Sequence, residues 1–228
     1  MDSYIKKIIW HFDVMPKKTI KVFKYLSRQK WLDNSGWYLA GGTALALQVG
    51  YRQSVDLDFF TESKSGKIDN TKILEYLKSS GEWFTDVDSE GTIYGELQKA
   101  KISFIAYPFF SPAQPFVRYG TINILNKEDI AVMKVVAISQ RGRKRDFFDL
   151  YYCANNILPL EEIMIRLKIQ YPSVAHDYYH ILKSLIYFAD AESDPEPNLL
   201  IDLDWKTVKK YFEKEIPALT KKLLRIQI

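Results

Sequence analysis

Two aspartates separated by one residue, Asp56 and Asp58, have the clearest capacity for chemistry in this sequence. Alternation predicts a strand in which Val55, Leu57 and Phe59 point into a core. Asp56 and Asp58 then share the opposite face, roughly 7 Å apart, where a divalent cation would relieve their mutual repulsion. The alternative interpretation is an exposed strand face that happens to carry two surface aspartates.

A glycine turn precedes these aspartates. Gly41, Gly42 and Thr43 follow a predicted strand and open an Ala- and Leu-rich segment that predicts a helix. Glycines there allow the backbone to approach a phosphate, and the helix N-terminus offers free N–H groups. Thr43 can cap the helix or donate its hydroxyl to a phosphate. A Gly-Gly-Thr turn alone is usually only a turn, but Thr43 lies 13 residues before Asp56, which favours a phosphate site.

Lys134 is the one charged residue in the apolar segment 131–138. Helical spacing places it beside Ile130, Met133 and Ala137, on a face that we expect to be buried. A buried ammonium needs an anion, which a triphosphate or the two aspartates would supply. The alternative is a lysine that extends along its aliphatic stem to solvent.

The densest basic run, from Arg141 to Arg145, is followed by Asp146 and Asp149. The run predicts either a solvated loop or a clamp on nucleotide phosphates or an RNA backbone. Asp146 and Asp149 are three residues apart, so they share one helix face. Acidic residues at a helix start also stabilise the helix dipole, which is the purely structural interpretation of the pair.

The elements that must position these residues change in type after residue 125. Before it we predict one or two helices within 4–31, broken at Pro16, and a helix at 70–79. The predicted strands are 37–40, 55–60, 92–97, 101–107 and 121–125. After it we predict helices at 127–140, 144–154, 160–170, 174–190 and 205–224.

The predicted class is therefore α+β, a mixed sheet with flanking helices followed by a helical C-terminal half. We expect an α/β core with N-terminal helices at 1–125 and a helical region at 126–228. No flexible linker separates them, so the helical region should pack on the core and complete the site.

Bulk composition excludes several protein classes. The 228 residues, 47% hydrophobic and 14% aromatic, suffice for a folded core of one large domain or two small ones. A net charge of +4 permits a nucleic-acid partner without requiring one. The single cysteine, Cys153, rules out an intrachain disulfide and fits a reducing, cytoplasmic compartment. No apolar run approaches the ~20 residues of a membrane span, and the N-terminus does not resemble a signal peptide.

His176 and His180 are four residues apart in the predicted helix 174–190. That spacing is used by some metal sites. Because no Glu of a metalloprotease motif lies between them and no third ligand is near in sequence, we do not expect a metal there.

The glycine turn, the Asp-x-Asp strand, the Lys134 helix and the Arg145–Asp149 segment occur in this order in a known family. The sequence resembles the AbiEii/AbiGii-type nucleotidyltransferase toxins of bacterial abortive-infection and toxin–antitoxin systems. The resemblance covers about residues 37–152, and its matching segments are 41–45, 52–60, 101–108, the Lys134 helix and 145–150.

The resemblance implies a polymerase-β-like minimal nucleotidyltransferase fold. Such enzymes bind NTP with Mg²⁺ (or Mn²⁺) and transfer a nucleoside monophosphate to an acceptor. In the toxin family the acceptor can be RNA, including tRNA, and a cognate antitoxin neutralises the toxin. A cytoplasmic protein without a membrane partner fits this activity.

Carried over residue by residue, the resemblance implies a role for each segment. Asp56 and Asp58 would bind the metals, Lys134 would contact phosphate, and Asp146 would complete the catalytic set with Asp149 assisting. Nucleotide-binding roles fall to Gly41, Gly42, Thr43, Arg52, Ser54, Lys134 and Arg145. The chemistry implied is two-metal, in-line transfer.

Ser103 departs from this pattern. The wider superfamily usually has a third carboxylate on a neighbouring strand, and alternation puts Ser103 at that place, on the outward face of the predicted strand 101–107. Serine is a poor general base without help. Either Asp146 substitutes, with Glu96 a weaker candidate, or the site binds nucleotide without fast transfer.

Three hypotheses follow. The first is a nucleotidyltransferase toxin. The second is a catalytically weak, NTP-binding regulatory protein on the same fold, which Ser103 would favour. The third gives the glycines and aspartates a structural role only. Kinase-like transfer to protein is disfavoured because no kinase glycine loop or His-Arg-Asp motif is present.

Overall fold

Short apolar strands pair into one seven-stranded sheet in the computed structural model, which describes residues 8–63 and 68–224. The strands are β1 Tyr38–Ala40, β2 Leu57–Thr61, β3 Trp83–Ser89, β4 Thr92–Leu97, β5 Ala100–Ala106, β6 Val117–Tyr119 and β7 Ile122–Ile124. Their order across the sheet is β3-β4-β5-β2-β1-β7-β6. Because β2 runs antiparallel to β1 and parallel to β5, the sheet is mixed, which confirms the predicted α+β class.

Several of the helices begin where the sequence offers a capping side chain or a proline. They are α1 Lys17–Leu26, α2 Gly41–Val49, α3 Asn70–Ser79, α4 Lys127–Arg141, α5 Lys144–Asn156, α6 Leu160–Gln170, α7 Tyr178–Ser184, α8 Ala189–Glu192 and α9 Trp205–Leu224. Pro16 precedes α1, and the side chains of Asp69 and Asn126 accept hydrogen bonds from backbone N–H groups of α3 and α4. None of the described helices is long and apolar enough to cross a membrane.

Helix α2 joins the sheet to the helical half of the chain. Four consecutive residues, Ala44 to Leu47, are fully buried, because α2 contacts β1 and β2 as well as α4 and α5. A helix that is apolar on all sides must be covered on all sides. Helix α4 in turn packs against α5, α6 and α7. Side chains from the helices can therefore reach the part of the sheet that contains β2.

Some predicted boundaries are wrong. Val55 was expected in the core, but it is 47% exposed because β2 begins only at Leu57, which is buried with Phe59 as predicted. The helix predicted before Pro16 is absent between residues 8 and 15, where only a short 3₁₀ helix, Phe12–Val14, forms. The start of that predicted helix, residues 4–7, lies outside the described residues.

Other elements were divided or missed. The predicted helix 174–190 is two helices, α7 and α8, and the first begins only at Tyr178 because the Asp177 side chain caps it by accepting a hydrogen bond from the His180 N–H. Strands β3 and β6 were not predicted. Strand β3 is at one edge of the sheet and is exposed along nearly its whole length. Its sequence therefore lacks the alternation of apolar and polar residues by which a half-buried strand is predicted.

Candidate active site

A cleft of about 590 Å³ opens over the sheet where β2 and β5 lie side by side. It is walled by the first residues of α2, by α4 and by the start of α5. The predicted site residues that line it are Gly41, Gly42, Arg52, Ser54, Asp56, Asp58, Ser103, Lys134 and Arg145. Thr43, Asp146 and Asp149 are buried and lie outside the lining.

Asp56 and Asp58 both face the cleft. Asp56 lies just before β2, and its Oδ1 is buried without a hydrogen-bond partner. Asp58 lies in β2 directly opposite Ser103 of β5, whose hydroxyl donates a 2.7 Å hydrogen bond to Asp58 Oδ1. Burial raises the pKa of Asp58, the Ser103 hydrogen bond opposes this, and neighbouring Asp56 adds to it. The ionised pair is therefore costly unless a cation neutralises it.

The pair fits a hard divalent cation. Carboxylate oxygens are the ligands that Mg²⁺ and Mn²⁺ prefer, and the unpartnered oxygen of Asp56 is available to one. Across residues 8–63 and 68–224, no group of three or more His, Cys, Asp or Glu side chains converges on one point. Asp56 and Asp58 would thus hold the ion together with water and substrate phosphate oxygens, as is usual for Mg²⁺.

The glycine turn brings backbone close to this pair. Gly41 has φ +70°, a left-handed conformation that favours glycine, and a Cβ there would lie 3.2 Å from Asp58 Oδ2. A Cβ on Gly42 would collide with the guanidinium of Arg52. Both positions therefore favour glycine, whose lack of a Cβ avoids these contacts at the N-terminus of α2. The first N–H groups of a helix have no partner within it and can bind an anion.

Thr43 lies beneath the cleft surface. Its hydroxyl donates a 2.5 Å hydrogen bond to the backbone carbonyl of Asp56 and lies 2.8 Å from the hydroxyl of Ser54. The side chain is 1% exposed. In this arrangement Thr43 ties the first turn of α2 to the segment that carries Asp56, whereas Ser54 lines the cleft.

Lys134 is buried as predicted, but its anion partners come from α5. Its Nζ lies 2.7 Å from Asp146 Oδ1 and 2.5 Å from Asp149 Oδ2. Asp149 also accepts two hydrogen bonds from Arg52, at 2.7 and 2.8 Å. Burial alone would raise the pKa of Asp149, but Arg52 and Lys134 hold it well below its usual range. Arg141 donates to Asp146 at 2.9 Å.

This network explains the burial of Asp146 and Asp149. Both are fully buried on one face of α5, and their charges are matched by cations that reach the cleft, namely Arg52, Lys134 and Arg141. The aspartates hold those cations in place from below. The hydroxyl of Tyr51 adds a further hydrogen bond to Asp149.

The basic run after α4 divides between two directions. Arg141 and Arg145 line the cleft. Arg143 instead pairs with Asp194 at 2.7 Å, and Lys144 is buried with its ammonium over the ring of Trp205. Only part of the basic run is therefore placed to contact a molecule bound in the cleft.

Sequence reasoning missed several cleft residues, including Tyr94 and Lys101. Tyr94 of β4 pairs with Ser103 of β5, and Lys101 lies two residues before Ser103 on the same face. A register irregularity between Thr85 and Val87 leaves Asp86 as an extra residue of β3 that lines the cleft. Alternation placed Ser103 outward, but the identity of its neighbours depends on register, for which a single sequence carries no signal.

The two histidines do not form a pair. His176 precedes α7, and its Nε2 lies 3.0 Å from the Tyr171 carbonyl oxygen. The Nε2 of His180 lies 3.2 Å from the Ser139 carbonyl oxygen. The rings are thus engaged separately.

The chain is similar to known proteins in sequence and in fold. The chain is 35% identical over 185 residues to an uncharacterized protein of Aquifex aeolicus, which covers 79% of this chain and 86% of that protein. The solved structure of MenT4, a nucleotidyltransferase toxin from Mycobacterium tuberculosis H37Rv, has a TM-score of 0.56 at 16% identity over 88% of this chain and 82% of that one. A structure from H. pylori, assigned provisionally as a nucleotidyltransferase, has a TM-score of 0.52 at 19% identity over 92% and 98%. These two structures share the fold.

The family model described as "Nucleotidyl transferase AbiEii toxin, Type IV TA system" matches residues 24–224. The match includes the glycine turn, both aspartates of the cleft, Lys134 and the acidic face of α5, so it spans every segment on which the resemblance in sequence depended. The chain therefore belongs to the AbiEii family of nucleotidyltransferase toxins.

Proposed function

We propose that this nucleotidyltransferase uses Mg²⁺ or Mn²⁺ to transfer a nucleoside monophosphate from NTP to an RNA acceptor, such as tRNA. The supporting observation is the unpartnered oxygen of Asp56 beside Asp58, in a cleft that also holds the glycine turn and Lys134. Carboxylates for a cation and donors for phosphates are the two requirements of phosphoryl chemistry, and this cleft contains both.

The chain's own residues bind and orient the substrate. A bound magnesium ion would neutralise phosphate charge and lower the pKa of an attacking hydroxyl. The backbone at Gly41 and Gly42 meets the triphosphate at the N-terminus of α2. Lys134 and Arg145 add positive charge on the walls. Asp146 and Asp149 keep the cationic groups oriented rather than meeting the substrate themselves.

We also propose that the protein acts in the cytoplasm as the toxin of a toxin–antitoxin or abortive-infection system, with a cognate protein antitoxin. Membership of the toxin family supports this proposal. An RNA acceptor is supported by the side chains of Lys101, Arg141 and Arg145, which place positive charge along the cleft.

The test is incubation of the purified protein with each labelled NTP, Mg²⁺ and total RNA. We expect label in RNA, and the length and terminal base of the product identify the acceptor. Asp56→Ala should abolish the label, whereas Arg143→Ala, which changes a residue directed away from the cleft, should retain it. A folded protein that labels no RNA with any NTP contradicts the proposal.

The second candidate function is a regulatory protein that binds NTP without fast transfer. Ser103 favours it, because a hydroxyl bound to Asp58 occupies the place of a third carboxylate. This candidate predicts NTP-dependent stabilisation without turnover. Ligand at 100 times its Kd adds about 2.7 kcal/mol to the free energy of unfolding, which thermal melting detects. Binding without labelled RNA would select this function.

A further inference from the structure

Tyr94 stands on the floor of the cleft in line with Asp58. The register pairs Tyr94 of β4 with Ser103 of β5, and Ser103 with Asp58 of β2. Residues directly opposite on neighbouring strands point to the same face of a sheet. Two strand spacings separate the backbones of Tyr94 and Asp58 by roughly 10 Å, and a tyrosine side chain can bridge much of that distance.

The Tyr94 hydroxyl is accessible and electrostatically close to the proposed metal site. The residue is 40% exposed, and nothing in residues 8–63 and 68–224 forms a hydrogen bond with its hydroxyl. Burial raises the pKa of the phenol, the Asp58 carboxylate raises it further, and Arg141 lowers it. The phenol thus lies close enough to respond to groups on both walls of the cleft.

Other hydroxyls in or near the cleft are less available. Ser103 is 1% exposed and its hydroxyl is bound to Asp58. Ser54 is hydrogen-bonded to Thr43. Tyr107 follows the end of β5, four residues beyond Ser103, and is not in the row that contains Asp58. Tyr94 therefore combines exposure with alignment on the aspartate.

We propose that the Tyr94 hydroxyl is a second acceptor, so that the enzyme attaches a nucleoside monophosphate to its own chain. This inference rests on the proposed function, because it uses the same NTP and cation. The phenolic oxygen forms a bond to the α-phosphorus, the bond from that phosphorus to the bridging oxygen of the β-phosphate breaks, and pyrophosphate leaves. The phenolic proton passes to solvent through the open cleft.

Modification of Tyr94 would also limit the enzyme. A nucleotide attached to the floor of the cleft occupies the space that NTP and the RNA end require, because Tyr94 and Asp58 line the same cavity. The modified protein should therefore lose RNA transfer. An enzyme incubated with NTP before RNA is added would slow as the fraction of modified protein rises.

The experiment incubates the full-length protein with each NTP and Mg²⁺, with and without total RNA, and reads protein and RNA separately. Intact-protein mass should increase by one nucleoside monophosphate, and peptide mapping should place it on Tyr94. Tyr94→Phe keeps the ring and any stacking role but removes the acceptor oxygen, so it should lose the protein label. Tyr107→Phe, a second tyrosine that lines the cleft, should keep it.

The outcomes separate this inference from the proposed function. Labelled RNA with unlabelled protein, or a label that maps elsewhere or persists in Tyr94→Phe, overturns the inference and leaves RNA transfer standing. Absence of label from both RNA and protein overturns the two together. If Tyr94→Phe does not fold, peptide mapping of the wild-type protein decides alone. Support requires label on Tyr94 and, where Tyr94→Phe folds, RNA transfer by that variant that does not decline on preincubation with NTP.

Discussion

The hydroxyl of Ser103 donates a 2.7 Å hydrogen bond to Asp58 from the position directly opposite on the parallel strand β5. A third carboxylate at this place would add a charge beside two aspartates that already repel each other. Ser103 instead stabilises the ionised form of Asp58, whose pKa burial raises. Strand β2 and the residue two before Asp58 thus provide two carboxylates, and β5 provides a donor that favours the charge of one of them.

Replacing Ser103 should weaken cation binding at low pH. Ser103→Ala removes the hydrogen bond that lowers the pKa of Asp58, so that pKa should rise further. Protons then compete with the cation up to a higher pH, and the midpoint of Mn²⁺ binding against pH should move upwards. Titration calorimetry across pH measures it. Ser103→Thr retains a hydroxyl and serves as the control, and an unchanged midpoint in Ser103→Ala would contradict the role of the hydrogen bond.

Asp58→Asn should abolish RNA transfer and yet stabilise the metal-free protein. The folded-state pKa of Asp58 is raised, so its ionisation costs folding free energy; this cost grows as pH rises from the unfolded pKa to the folded pKa and is constant above it. Asparagine removes the charge and can still accept from Ser103. We therefore expect a higher Tm for Asp58→Asn at neutral pH, since each 1 kcal/mol gained raises Tm by about 2–4 °C in a chain of this size. Calorimetry in EDTA checks it, with Asp86→Asn, an exposed cleft carboxylate, as the control. A lower Tm for Asp58→Asn would oppose this account.

Asp149→Ala should be strongly destabilising. It removes the shared counter-ion of Arg52 and Lys134, both of which are buried. Breaking a buried pair costs about 3–5 kcal/mol. Urea denaturation measures the loss, and Lys222→Ala, which breaks an exposed pair with Glu161, should cost about 1 kcal/mol or less. Equal effects of the two changes would exclude a structural role for the buried network.

The contribution of Asp149 to the free energy of unfolding should decrease as pH falls. The folded pKa of Asp149 lies well below its unfolded value, so its contribution is complete above the unfolded pKa. It is lost as pH falls towards the folded pKa. The difference in unfolding free energy between the wild type and Asp149→Ala should therefore shrink in acid.

The sequence predicted features that depend on local periodicity. Helical spacing placed Lys134 on a buried face and put Asp146 and Asp149 on one face of α5, and all three are buried. It did not predict that these residues pair with one another. That contact requires α4 and α5 to pack side by side, which is a tertiary relationship. The sequence instead suggested a triphosphate or the Asp-x-Asp pair as the anion partner of Lys134.

Features that depend on strand register could not be predicted either, because register is also a relationship between separate segments of the chain. Alternation marked Ser103 as outward-facing but did not show that β5 runs parallel to β2 with Ser103 opposite Asp58. Asp86 enters the cleft through an irregularity in an edge strand that no hydrophobic pattern reveals. Fold class and motif order were predictable because they reside in short segments, whereas the contacts between segments were not.

Gly41→Ala should impair nucleotide binding. The residue has φ +70°, which costs an L-residue about 1–2 kcal/mol, and the added Cβ would lie 3.2 Å from Asp58 Oδ2. We expect a modest fall in stability and a larger Kd for a non-hydrolysable NTP analogue in the presence of Mg²⁺. Gly36→Ala, at another left-handed position outside the cleft lining (φ +80°), where an added Cβ would make only an ordinary contact with Thr61 at 3.7 Å, controls for backbone strain alone. A Kd raised equally by both substitutions would show that the glycine turn does not contact the nucleotide.

Arg145 and Arg143 provide a matched test of which side of the basic run meets the substrate. Arg145 lines the cleft and helps lower the pKa of Asp58, whereas Arg143 is 57% exposed and paired with Asp194. A hydrogen bond to a charged group contributes about 1.5–3 kcal/mol, so Arg145→Ala should lower kcat/KM for NTP about tenfold or more. Arg143→Ala should change it little, because an exposed pair contributes about 1 kcal/mol or less.

Raising the salt concentration should narrow the difference between these two variants, since screening weakens the contact that Arg145 makes with phosphate. Steady-state kinetics at low and high salt measures both effects. Equal losses in the two variants, or a larger loss in Arg143→Ala, would mean that the substrate approaches over the Asp194 side of the run. The proposal that NTP binds in the cleft over Asp56 and Asp58 would then have to be abandoned.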